Sequence, residues 1–173
     1  MTEELPERAR RAFEAHDAYA ATDRGDAYRL DTVSFDALVT ATGTDDWALR
    51  YTLTVRAPTL DAAVEEPVGP NLQEGWRDTY ELRLEDAPGS VRADVDLDDL
   101  HVDVEGEEVV ATFVFAFGNA ERAPAVAKAL AEYTEGTYLE GVVPGYTYRD
   151  PVAGLLSQAQ QGEGDGRGGP MPL

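Results

Sequence analysis

The sequence predicts an α+β fold: an antiparallel sheet of about five strands with helices packed on one face, in the order α-βββ-α-ββ-α. Three observations predict it. Trp47 to Arg56 alternates apolar and polar residues, and Val109 to Phe117 sets Val109, Ala111, Phe113, Phe115 and Phe117 on one face of the most apolar run, the period-two pattern of strands. Stretches near the start and after Asn119 repeat apolar residues every three or four positions, as amphipathic helices do. The links Gly43-Thr44-Asp45-Asp46 and Glu105-Gly106-Glu107 are short, which joins neighbouring strands as hairpins.

The first element is a helix over Glu3–Ala18. Leu5, Ala9, Phe13 and His16 share a face, Pro6 suits the first turn, and glutamates crowd the N-terminal end, where the helix dipole favours them. Thr22–Gly25 breaks it. Strands are expected at Ala27–Thr32, Phe35–Ala41 and Trp47–Arg56; in the last, Trp47, Leu49, Tyr51, Leu53 and Val55 line one face. A short helix at Thr59–Val64 follows Pro58.

Asn71–Ala87 carries two competing periods. Trp76, Tyr80, Leu84 and Ala87 repeat as a helix, whereas Tyr80, Leu82 and Leu84 alternate as a strand. Its length and its Glu, Leu and Arg content favour the helix. Pro88-Gly89-Ser90 closes it. A second strand pair follows: Leu100–Glu105, with Val102 and Val104 on one side and His101 and Asp103 on the other, then Val109–Phe117. Asn119 suits the N-cap of a helix over Ala120–Glu135. A glycine–tyrosine segment, Gly136–Tyr148, and a short helix at Val152–Ser157 complete the domain, 1–157. From Gln158 the composition is that of a flexible glycine-rich tail, 158–173.

Composition limits what the chain does. Of 173 residues, 43% are hydrophobic, enough for a core. There is no cysteine, which removes disulfides, thiolate metal sites and cysteine nucleophiles. The acidic start lacks the basic and apolar regions of a signal peptide, and no run has the apolar length of a membrane span. A soluble cytoplasmic protein with no membrane partner is expected.

Charge is the outstanding feature: 34 acidic residues face 14 basic ones, a net of −20, and Lys128 is the only lysine. Such an excess repels itself in dilute solution. At molar salt the Debye length falls to about 3 Å and the penalty vanishes. The acids are spread over every predicted solvent face, so they describe the solvent and point to no cationic partner. Nucleic acid is excluded as a partner: affinity for phosphates comes from clustered Lys and Arg, and the densest cluster, Arg8, Arg10 and Arg11, is interleaved with Glu7 and Glu14.

Few residues suggest chemistry. Asp94, Asp96, Asp98 and Glu105 stand at positions one, three, five and twelve of a calcium loop. However, Asp99 replaces the glycine of position six, and the glutamate falls on a strand. His16 and His101 read as surface residues. No serine sits in a nucleophile elbow. No catalytic residue, metal ligand or cofactor is assigned. One candidate ligand or partner surface remains: Glu65, Glu66, Trp76 and Arg77 in the irregular middle, with Tyr138 and Tyr146 of the glycine–tyrosine segment. The tyrosines offer large contact area with polar tips.

The blocks Arg11–Asp17, Thr59–Pro70, Glu81–Pro88 and Glu140–Tyr146 resemble a family of short acidic proteins from halophilic archaea, a domain of unknown function. That resemblance covers the chain apart from its tail and implies habitat without activity. The element order is similar to that of type III secretion chaperone-like domains, including their YbjN-type relatives, which implies protein binding and dimerisation. The sequence therefore points to a non-catalytic protein-interaction or chaperone-like module, with a protein partner or a second copy. The alternative is a small-molecule-binding or hydrolytic protein using the 65–77 and 136–148 segments.

Overall fold

In the computed structural model, which describes residues 5–23 and 25–166, the two alternating runs are the adjacent central strands of one antiparallel sheet. The elements are α1 (Glu7–Glu14), β1 (Tyr19–Ala21), β2 (Tyr28–Leu30), β3 (Asp36–Gly43), β4 (Leu49–Pro58), α2 (Leu60–Ala63), α3 (Pro70–Leu84), β5 (Leu97–Glu105), β6 (Glu108–Phe117), α4 (Ala123–Glu140) and α5 (Val152–Gly166). A 3-10 turn at Ala87–Ser90 follows α3. The sheet has six strands in the order β1-β2-β3-β4-β6-β5. The α+β class holds; the strand count is one higher than expected.

The extra strand is β1, which pairs Tyr19 with Leu30 and Ala21 with Tyr28. It lies just beyond the expected first helix, which stops at Glu14 instead of Ala18. The strand order also has a physical reason. The chain leaves β4, builds α2 and α3 over the sheet, and returns at the outer edge as β5. A two-residue turn with Gly106 at φ +61° then places β6 between β5 and β4. Left-handed backbone there is natural for glycine.

Core and surface separate along the pleat. Ala37 and Val39 of β3, Tyr51, Leu53 and Val55 of β4, and Ala111, Phe113 and Phe115 of β6 are fully buried. Register places Val39, Leu53, Phe113 and Leu100 in one row across four strands. Onto this face pack Ala9 and Phe13 of α1, Trp76, Tyr80 and Leu84 of α3, Val126 and Leu130 of α4, and Val152 of α5, all in one continuous core. Burying each large side chain contributes about 1.5–3 kcal/mol.

The competing periods of α3 resolve as helix. Trp76, Tyr80 and Leu84 are buried while Leu82 is 65% exposed, so spacing of four wins over alternation. Further on, Asn119 Oδ1 accepts from the Arg122 amide at 3.3 Å. It shapes the turn before α4, which begins only at Ala123 and continues to Glu140. The first part of the glycine–tyrosine segment is thus helical. α5 extends past Ser157 to Gly166, so the residues expected as the start of the tail are helical; 167–173 lie outside the described residues. No helix among the described residues is long and apolar enough to cross a membrane.

Candidate functional site

Residues four apart share a helix face, so α3 presents Trp76 and Tyr80 together. Their rings stack at 5.7 Å and 8°. Tyr138 of α4 stands edge-on to both, at 5.4 Å from Trp76 and 5.8 Å from Tyr80. The Tyr138 hydroxyl donates to the Pro58 carbonyl at 2.8 Å, and the Tyr133 hydroxyl of α4 donates to the Arg83 carbonyl of α3 at 3.3 Å. The first bond ties α4 to the end of β4 and the second ties it to α3. Burial pushes the phenols of Tyr80 and Tyr138 well above their ordinary range, so both stay neutral. Over the aromatic trio opens a cavity of about 330 Å³.

Of the six sequence-predicted residues, this cavity brings together Trp76 and Tyr138. Arg77 is adjacent to Trp76 in sequence, yet one helical step turns its side chain about 100° away. Its Nη1 donates to the Val102 carbonyl of β5 at 2.7 Å, and the Val102 amide donates to Glu81 Oε2 at 2.9 Å. Arg77 and Glu81, 3.6 Å apart, therefore satisfy both outward-facing groups of an edge residue, as a neighbouring strand would.

Glu65 and Glu66 also lie elsewhere. The Glu65 amide donates to the Thr147 carbonyl at 2.9 Å. Glu66 Oε1 accepts from the Thr147 amide and Oε2 from its hydroxyl, both at 2.8 Å. These bonds, the backbone one first, lower the Glu66 carboxyl from its ordinary value. With the Val64–Tyr148 bridge and the Arg149 amide bound to the Ala63 carbonyl at 2.7 Å, they form a clasp holding the segment after α4. Tyr146 is half-buried against the core in that segment. The two stretches meet in space, and there the Glu66 carboxylate serves the clasp.

Of the aspartate string, Asp94 and Asp96 precede β5, and Asp98 and Glu105 lie near its opposite ends. Asp98 faces Arg50 at 3.6 Å, and Glu105 faces Arg56 at 3.1 Å. At about 3.3 Å per strand residue these carboxylates cannot close on one ion. His101 lies between Asp99 at 3.2 Å and Asp103 at 3.6 Å on the same strand face. His16 Nδ1 accepts from the Ala18 amide at 3.2 Å and stays near the surface.

The structure corrects one placement. Trp47 was expected on the buried face of β4; it is 69% exposed. Asp46 Oδ1 accepts from the Ala48 amide at 2.8 Å, which keeps the turn going until Leu49. The indole rests on Gly118, with the Arg8 guanidinium 5.6 Å above the ring, and the Arg8 side chain donates to the Trp47 carbonyl. A broad groove of about 900 Å³ runs beside it between α1 and the turn before α4. The doublet Asp45-Asp46, which prolongs a turn through its side chains, was the signal that could have placed Trp47.

The second feature is the uncovered face of the sheet. Across it, register sets Leu38, Thr54, Thr112 and His101 in one row and Thr40, Thr52, Val114 and Asp99 in the next. Among the described residues the helices pack on the other face. The centre, where β3, β4 and β6 meet, carries threonines and small apolar residues and no carboxylate. Charges stand at its margins in pairs: Arg29 with Asp36, Arg50 with Asp98, and Arg56 with Glu105 and Glu108. Glu105 foremost raises the Arg56 guanidinium further.

Fold and surfaces define an α+β domain built on one antiparallel sheet, helical on one side and open on the other, with an aromatic cavity between two of its helices. The Family of unknown function (DUF5813) matches residues 14–158, and the chain belongs to it. No curated protein and no solved structure matches.

Proposed function

We propose that this chain is a non-catalytic protein-interaction module, chaperone-like in kind, whose open sheet face pairs with a second copy of itself. The observation that carries this reading is the carboxylate-free centre of that face. In a chain with 34 acidic residues, solvent-facing positions collect carboxylates, and the central alternate positions of β3, β4 and β6, between Asp36 and Glu108 at one margin and Arg50 at the other, carry Thr, Leu, Val and Ala instead. Val110 supports it: the residue is buried yet lies on this face, apart from the main core. Three strands about 4.8 Å apart and eight residues long at about 3.4 Å span about 14 by 27 Å. With the paired charges at its margins as a polar rim, that patch suits the centre of a standard interface of about 800 Å² per partner.

A second copy fits the charge. Two chains of net −20 repel in dilute salt and approach freely where the Debye length is about 3 Å. The reading therefore places the protein in the salt-loaded cytoplasm of a halophilic archaeon. Glu66 supports a non-catalytic role, since both its carboxylate oxygens are engaged by Thr147.

Sedimentation in molar KCl tests the proposal. The expected result is a dimer that Thr54→Glu with Thr112→Glu, opposite each other at the centre of the face, converts to a folded monomer. A wild-type monomer at high protein concentration would overturn it. Dilution to millimolar KCl should dissociate the dimer and then cost circular-dichroism signal; a fold indifferent to that dilution removes the salt-adaptation argument.

A further inference from the structure

We infer that the cavity between α3 and α4 is a binding site for a small, planar, largely apolar molecule that lies against Trp76. The volume selects the occupant. About 330 Å³ equals about eleven waters at about 30 Å³ each and sits at the lower end of small-molecule sites. An α-helix, about 10 Å across with its side chains, does not fit. One or two fused rings do.

The floor is built for a flat ligand. Trp76 is 7% exposed, and its indole is held by the stacked Tyr80 on one side and the edge of Tyr138 on another. Aromatic side chains so braced keep their orientation and present a rigid surface. Leu72 from α3 and Val142 and Val143 beyond α4 add apolar wall beside that floor.

Two further observations bear on the ligand. Gly75 lies in the interior of α3, where glycine weakens a helix. Its backbone is not left-handed, and a Cβ added there would meet nothing within 4 Å. The missing side chain leaves the cavity wall beside Trp76 open. Independently, Thr79, Arg83, Thr137 and Glu140 stand in the same lining, so the floor is aromatic and part of the rim is polar. The class is therefore a compound of one or two fused rings that carries a polar group.

Quinoline, a fused bicycle with one acceptor nitrogen, is a suitable probe. The chain has two tryptophans, so the indole N–H region of a ¹H–¹⁵N spectrum contains an internal control. In molar KCl, quinoline should shift the Trp76 signal saturably and leave exposed Trp47 in place. Gly75→Leu should abolish the Trp76 shift with circular dichroism unchanged. Should the leucine unfold the chain, Gly75→Ala replaces it, and should raise the melting temperature while weakening quinoline several times. No saturable shift at Trp76, equal shifts at both tryptophans, or full binding to the folded Gly75 variant would overturn the assignment.

Discussion

Along β4 the odd-numbered positions Tyr51, Leu53 and Val55 are sealed beneath helices, while Thr52 and Thr54 between them stay half-exposed. Both sets belong to the same ten residues and the same hydrogen-bond ladder, so backbone preference cannot separate them. The covered side is filled to capacity: Tyr51 lies parallel to Phe115 at 5.4 Å, and Phe13 stacks on Tyr28 at 5.1 Å. The open side instead carries β-branched threonines, which favour strands and retain hydroxyls that water can satisfy. The comparison teaches that one side is specified by volume and the other by the absence of charge.

The largest effect should come from breaking this contrast at adjacent positions. Phe113→Ala removes a fully buried ring and should cost about 3–5 kcal/mol. Thr112→Ala, on the open side, should change stability by no more than about 0.5 kcal/mol. Urea denaturation in molar KCl measures both. Comparable losses would mean that the open side is packed against something in the folded monomer.

A smaller effect is expected at the sheet edge, where association could also arise. Arg77→Ala with Glu81→Ala strips both side-chain partners from Val102 and should cost about 1–2 kcal/mol. It should also add concentration-dependent oligomers, visible in light scattering, that Thr54→Glu does not suppress. Oligomers sensitive to Thr54→Glu would assign the association to the face instead of the edge.

The smallest effect concerns the clasp. The Glu66 carboxyl titrates below its ordinary value because Thr147 donates to its ionised form. Its contribution is complete above the unfolded glutamate value of about 4.3 and disappears as pH falls through the lowered one. The Thr147 amide signal should therefore move at a pH below about 4.3, and Glu66→Gln should flatten that movement. A midpoint at or above the ordinary value would mean that the clasp opens in solution.

The alternation of β4 and β6, the helical spacing of α3 and the turn at Gly106 were legible in the sequence because each repeats a local rule over several residues. β1 was not: Tyr19–Ala21 is too short to show a period, and its partner β2 supplies the reason for its shape. The insertion of β6 between β4 and β5 was equally hidden, since period two says which way side chains point and nothing about neighbours. At the candidate site, Trp76 and Tyr138 were found by their size. Arg77 was joined to them by sequence adjacency, which a helix undoes within one residue. Glu65 and Glu66 stood out as charges, whereas their contacts with Thr147 depend on a chain reversal more than eighty residues away.

The position of β6 also sets a schedule. Fifty-nine residues separate Pro58 from Phe117, so during synthesis at about 5–20 residues per second the outer ladder of β4 waits several seconds for its partner. Throughout that time its amides and carbonyls are a template for any other extended chain. In molar salt the acidic coat would give little shelter, because repulsion there reaches only about 3 Å. Nascent chains on one messenger are therefore most exposed to each other between the completion of β4 and the arrival of β6. Any chain cut short before Phe117 presents that edge permanently.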